Sequence, residues 1–159
     1  MYSHIIYSLT LALLPPNVHP QAAPVLLCPP QISIERPADT TAGDLRGAFL
    51  LVTTRHGCHP GPLTLSGTAV GLVDGARRSI ALEIVATADP GVYAVRRQWS
   101  TAGVWVLRFV VDESGGHVTA LVGINRSGDV TTVRVPGRTG VIRDYSDADV
   151  EALLRSLAV

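Results

Sequence analysis

The sequence predicts an all-β chain, an antiparallel sandwich with one helix at its C-terminus. Three observations carry that expectation. Short stretches of period-2 alternation recur along the chain, separated by turn residues at the spacing of a sandwich. Both tryptophans, Trp99 and Trp105, fall within one alternating region. A helical repeat of apolar residues occurs only near the end of the chain.

Each element follows from its residues. Ile32-Ser33-Ile34-Glu35-Arg36 alternates and stops at Pro37. Ala48 to Thr54 is apolar on both faces, as a central strand should be. Leu63 to Val73 and Arg77 to Val85 flank Asp74-Gly75, whose residue types suit the positive φ angles of a type I′ hairpin turn. In Val92 to Trp99, the residues Tyr93, Val95, Arg97 and Trp99 share one side. In Val104 to Val111, Trp105, Leu107, Phe109 and Val111 do the same, and the short turn at Gly103 predicts a hairpin carrying an aromatic core. His117 to Ile124 and Val130 to Val135 flank the loop Asn125-Arg126-Ser127-Gly128-Asp129. These are eight strands with no room for a crossover helix, so the sheets should be antiparallel. Ser146 and Asp149 have capping-box spacing, and Val150, Leu153, Leu154 and Leu157 form one apolar stripe. That helix should close one end or edge of the sandwich, or else dock a partner.

The 159 residues suffice for one domain with its own core. Residues 1–23 read as a signal peptide: Ile5 to Leu14 is a ten-residue apolar run, too short to span a bilayer. Residues 24–30 form a linker, 31–137 the sandwich, and 138–159 a C-terminal extension with the capping helix. The expectation is a periplasmic or secreted protein with no transmembrane segment in the mature chain. Thirteen basic residues balance thirteen acidic ones, which leaves no electrostatic footprint for a nucleic acid. All thirteen are arginine, a bias that points to a GC-rich bacterial genome. Cys28 and Cys58 are the only cysteines, and an exported chain could join them. Leu27 stands before Cys28 where a lipid-modified cysteine is normally preceded by a small residue.

Candidate chemistry concentrates in His56-Gly57-Cys58-His59-Pro60-Gly61. His56, Cys58 and His59 are suited to Cu(I) or Zn(II), and His117 could add a fourth ligand. No paired CxxC or HxxxH spacing accompanies them, and a polar loop with a structural cysteine is the plainer alternative. No catalytic residue is expected: there is no G-x-S-x-G elbow and no Gly-rich phosphate loop. Asp112-Glu113-Ser114-Gly115-Gly116 reads as a solvated loop. Asp144, Asp147, Asp149 and Glu151 read as acids drawn to the positive end of a helix. Arg97 shares a face with Tyr93 and Trp99; the favoured expectation is that its stem covers apolar surface with its head in water, and the alternative that it stacks on a ring and lines a binding groove.

Pro90-Gly91-Val92-Tyr93, followed by Trp99, Gly103, Trp105 and Leu107, resembles the hairpin of bacterial exported immunoglobulin-like domains, among them the YtkA-like family and, more distantly, CopC-like sandwiches. The resemblance covers residues 45–112. It implies an immunoglobulin-like sandwich of seven or eight strands in an extracytoplasmic accessory protein, with copper handling in some relatives. Met1 is the only methionine, so a Met-rich copper site is excluded. The chain is therefore expected to be a non-enzymatic binding or interaction domain whose partner is another periplasmic or membrane protein. The alternative is a periplasmic copper- or zinc-binding protein using the His56-Cys58-His59 loop.

Overall fold

The computed structural model describes residues 29–38, 43–57, 61–114, 116–137 and 144–159. The predicted leader, Cys28, Cys58 and His59 lie outside the described residues. Nine strands follow one another: β1 Gln31–Glu35, β2 Ala48–Arg55, β3 Thr64–Val73, β4 Ala76–Ala81, β5 Ile84–Ala86, β6 Val92–Arg96, β7 Val104–Glu113, β8 Gly116–Ile124 and β9 Val130–Arg134. Among the described residues one α-helix, α1, spans Asp147–Ala158, and a short 3-10 turn spans Gly43–Leu45. Among the described residues no helix is long and apolar enough to cross a membrane.

All strand pairs are antiparallel. They form a four-stranded sheet, β1-β2-β6-β5, and a five-stranded sheet, β4-β3-β7-β8-β9. Lettered in chain order, the first is A-B-E-D and the second C′-C-F-G with β9 added outside G. That is the immunoglobulin order. The turn at Asp74-Gly75 has φ of 50° and 75°, as its hairpin requires.

The core is set by size complementarity between β3 and β7. On the inner face of β3 stand Gly67, Ala69 and Gly71, directly opposite Phe109, Leu107 and Trp105 of β7. A methyl group on Gly71 would overlap the benzo ring of Trp105, and one on Gly67 would lie 3.2 Å from the ring of Phe109. The three large side chains are buried against Leu50, Val52 and Val95 of the other sheet. The indole N–H of Trp105 donates to the Ala102 carbonyl at 3.0 Å, so the buried ring leaves no unpaired donor.

Three expectations are corrected. The two aromatic strands are not a hairpin: β6 pairs with β2 and β5 in one sheet, and β7 with β3 and β8 in the other. The segment from Arg97 to Gly103 therefore crosses the sandwich, with Trp99 buried in the shared core. The physical reason lies in β3: the Trp105 ring lies on Gly71, where any side chain would overlap it. Second, the predicted strand from Arg77 to Val85 breaks at Leu82-Glu83 and contributes one strand to each sheet, giving nine strands in place of eight. Gln98 holds that break like a short strand. Its Oε1 accepts the Glu83 N–H at 2.7 Å and its Nε2 donates to the Glu83 carbonyl at 2.8 Å.

Third, α1 does not close an end or edge. Val150, Leu153 and Leu154 pack on Val70, Val104, Val106 and Leu121, the outer face of the five-stranded sheet. The reason is visible in β7, where apolar residues occupy both parities over Val104–Leu107, so a second layer must cover the outer one. The predicted cap is present: the Asp149 carboxylate accepts the Ser146 N–H at 2.9 Å and its hydroxyl at 2.8 Å.

Replacing Trp105 by alanine should destabilise the fold by about 3–5 kcal/mol, because the ring is buried on glycine and cannot be replaced by collapse of a flexible neighbour. Urea unfolding followed by the fluorescence of Trp99 measures it, and a loss under about 1 kcal/mol would contradict this core.

Candidate functional site

The loop singled out in the sequence follows β2, and the first histidine in it is held by a residue the sequence reading assigned to solvent. His56 Nδ1 lies 2.7 Å from Glu113 Oε1, and the Gly57 N–H donates to Glu113 Oε2 at 3.1 Å. The Glu113 side chain is fully buried, whereas that of His56 is 56% exposed. Glu113 is thus the last residue of β7 and not part of a solvated loop. Alternation explains its position: two residues beyond Val111, it shares the inner parity. A buried carboxylate away from water is tolerated only with hydrogen-bond donors around it, and the loop after β2 supplies them.

This end of the sandwich also carries a cleft. Thr54, Arg55 and His56 line it from the end of β2, Gly61, Pro62 and Leu63 from the approach to β3, and Pro90, Gly91 and Tyr93 from the turn into β6. Its volume is about 560 Å³. The Thr54 N–H donates to the Gly91 carbonyl at 2.8 Å and fixes one wall to the other. Gly91 has φ of 76°, and a side chain there would press on the Thr54 carbonyl. The cleft is open to solvent at the end of the domain.

His117 sits elsewhere. It stands opposite Asp112 on β8, on the outer parity of the sheet, and its Nε2 lies 2.7 Å from Asp144 Oδ2. The structure therefore gives the two described histidines different carboxylates, His56 on the inner parity and His117 on the outer. Cys58 and His59 lie outside the described residues. Among the described residues no three His, Cys, Asp or Glu side chains come together as a ligand set.

The acidic residues near α1 do more than meet the helix end. Asp144 pairs with His117, Asp147 Oδ1 accepts from Arg108 Nη1 at 2.6 Å, and Glu151 Oε1 forms an ion pair with Arg77 Nη1 at 2.6 Å. The helix is thereby tied to β8, β7 and β4. Burial pushes the Asp144 carboxyl upward, but contact with the Thr119 hydroxyl, the His117 imidazole and the Tyr145 N–H together hold it below its usual 3.8. Arg97 takes the stacking role: its guanidinium lies 4.7 Å from the Phe49 ring centroid. It also donates to the Gly128 carbonyl at 3.0 Å, and Phe49 meets Trp99 edge-on at 5.3 Å. This cluster lies at the end of β6, opposite the cleft, where it clasps the crossover to the β8–β9 loop.

No family model, curated protein or solved structure matches the chain.

Two stability measurements follow. His56→Ala strips a donor from a fully buried carboxylate and should cost about 1–3 kcal/mol, while His117→Ala breaks a half-exposed pair and should cost about 0–1 kcal/mol. Urea midpoints rank the two, and equal losses would contradict the difference in burial. Asp144 has a lowered folded pKa, so the stability it confers is present above 3.8 and lost as pH falls through the folded value. The midpoint difference between wild type and Asp144→Asn should therefore shrink as pH falls below about 4. A difference that grew below about pH 4 would have the wrong sign.

Proposed function

We propose that this chain is an extracytoplasmic, non-enzymatic interaction domain that recognises its partner through the end of the sandwich bearing the cleft. One observation carries the reading. Three loops lie at that end, those joining β2 to β3, β5 to β6 and β7 to β8, and in immunoglobulin variable domains the B–C and F–G loops of one end belong to the recognition surface. The β2–β3 and β5–β6 loops line the cleft, and Gly61 of the first packs on Ser114 of the third. The lining mixes an aromatic ring, prolines and a leucine with Arg55 and His56. That is the composition of a surface that binds. The partner class is another periplasmic or membrane protein, and export rests on the apolar run in residues 1–23.

A second reading, a copper- or zinc-binding protein, has its own support at the same end. His56 is the first of the three candidate ligands in the loop. It is held through one ring nitrogen by a buried carboxylate, the arrangement that orients metal-bound histidines.

A photo-crosslinking residue placed at position 63 in the cleft should capture a discrete partner in the native host, and Tyr93→Ala should abolish the adduct. The same probe at position 78, on the β4 edge, should capture none. Equal capture at both positions, or none at 63, would contradict the interaction reading. For the second reading, reduced protein titrated with Zn(II) or Cu(I) should bind about one equivalent and melt at a higher temperature as metal rises. A His56→Ala/His59→Ala protein should do neither. Binding should weaken as pH falls, because imidazole must be neutral to ligate.

A further inference from the structure

We infer that the chain forms a two-fold dimer by antiparallel pairing of β9 with the β9 of a second copy, which continues the five-stranded sheet across the axis. This surface is separate from the cleft, none of whose lining residues lies on β8 or β9. Four strands edge the two sheets, and three of them are blunted against pairing. β5 has only three residues, β1 is a five-residue strand between Pro30 and Pro37, and β4 presents Arg77 and Arg78. β9 has neither proline nor lysine, and four of its five residues, Val130 to Val133, are β-branched. Its inner face is also uncovered. The opposing sheet is one strand narrower, and its edge strand β1 packs on β8. Val133 is 45% exposed and Val135, just past the strand, 39%. Among the described residues the only other exposed large apolar side chain is the terminal Val159.

The strand is complementary to itself. Ile124 faces the core, so Asn125 and the Asp129 that pairs with it fall on the outer parity. Arg134, opposite Leu121 beneath α1, has the same parity. Val133, opposite Val122, and Val130, opposite Ile124, face inward. A bulge sets Val130 and Thr131 together against Ile124. With those two residues counted as one position, the stretch from Asp129 to Arg134 is symmetric about Thr132. A two-fold axis there sets Thr132 against its own copy and Val133 against Val130 of the second copy. Arg134 then stands opposite Asp129 of the second copy, and the pair occurs twice. Neither the Asp129 carboxylate nor the Arg134 guanidinium has another partner among the described residues. Opposite charges at directly facing positions favour this orientation, whereas an in-register parallel pairing would set like charges side by side. The free backbone N–H and C=O groups along the edge gain partners at the same time.

The test is sedimentation equilibrium of the full-length chain over a concentration series. Wild type should approach twice the monomer mass, and Val133→Lys should stay monomeric, because a lysine on the pairing edge has to be desolvated. Arg134→Asp sets two acids together on each side of the axis. It should weaken association about tenfold or more, each of the two symmetric pairs counting a few-fold. Asp129→Arg combined with Arg134→Asp restores opposite charges and should recover the wild-type dissociation constant to within about threefold. Circular dichroism checks the fold of each variant. If Val133→Lys does not fold, Thr131→Lys, at an exposed position on the same edge, takes its place. A wild type that stays monomeric at millimolar concentration would overturn the inference. So would a dimer left intact by the lysine variant or by Arg134→Asp, or a double variant that associates no more tightly than Arg134→Asp alone.

Discussion

The fit of three large side chains on β7 over three small residues on β3 is the constraint from which the rest of the architecture follows. Trp105 over Gly71, Leu107 over Ala69 and Phe109 over Gly67 leave only one register for this pair, because a slip of one residue would turn the large side chains to the other face. The pair places β7 in the middle of the five-stranded sheet. β6 lies in the other sheet, paired with β2 and β5. The chain must then cross between sheets at Arg97 to Gly103, and Trp99 fills the crossing.

The same register reaches the candidate site. Counting by twos from Trp105 along β7 leads through Leu107, Phe109 and Val111 to Glu113, which therefore enters the buried side at the end of the sandwich. An acid at that position has to be matched, and the loop after β2 folds back so that His56 and the Gly57 N–H meet it. Counting along the other parity leads to Arg108 and Asp112, the side on which α1 lies. Charged groups there are half-exposed and pair with the helix and its approach. One parity thus builds a buried carboxylate beneath a cleft, and the other builds surface ion pairs of modest individual worth.

Much of the fold was legible in the sequence because its signals are local. Alternation located the strands, Asp74-Gly75 marked its turn, and Ser146 with Asp149 marked the start of the helix. What escaped depends on contacts between residues far apart in the chain. Nothing near Gly103 says that Trp105 meets Gly71, and a short turn between aromatic strands has the local pattern of a hairpin. The break at Leu82-Glu83 depends on Gln98, fifteen residues away. In the site, His56 was visible as a residue type, but its partner was not. The polar run from Asp112 to Gly116 has the composition of a loop, and only extending the alternation past Val111 would have placed Glu113 inside. The separation of His117 from His56 follows from parity on β8, which the strand pattern alone contained.

The central claim, that the glycine at position 71 exists to receive the Trp105 ring, is tested most directly by a double-mutant cycle on the two positions. Gly71→Ala in the wild-type background should cost about 1–3 kcal/mol through overlap with a ring that cannot move away. In a Trp105→Leu background the same change should cost nothing or stabilise, giving a coupling of about 1 kcal/mol or more between the sites. Additive losses, equal within about 0.5 kcal/mol, would show that β3 and β7 are matched by something other than this contact.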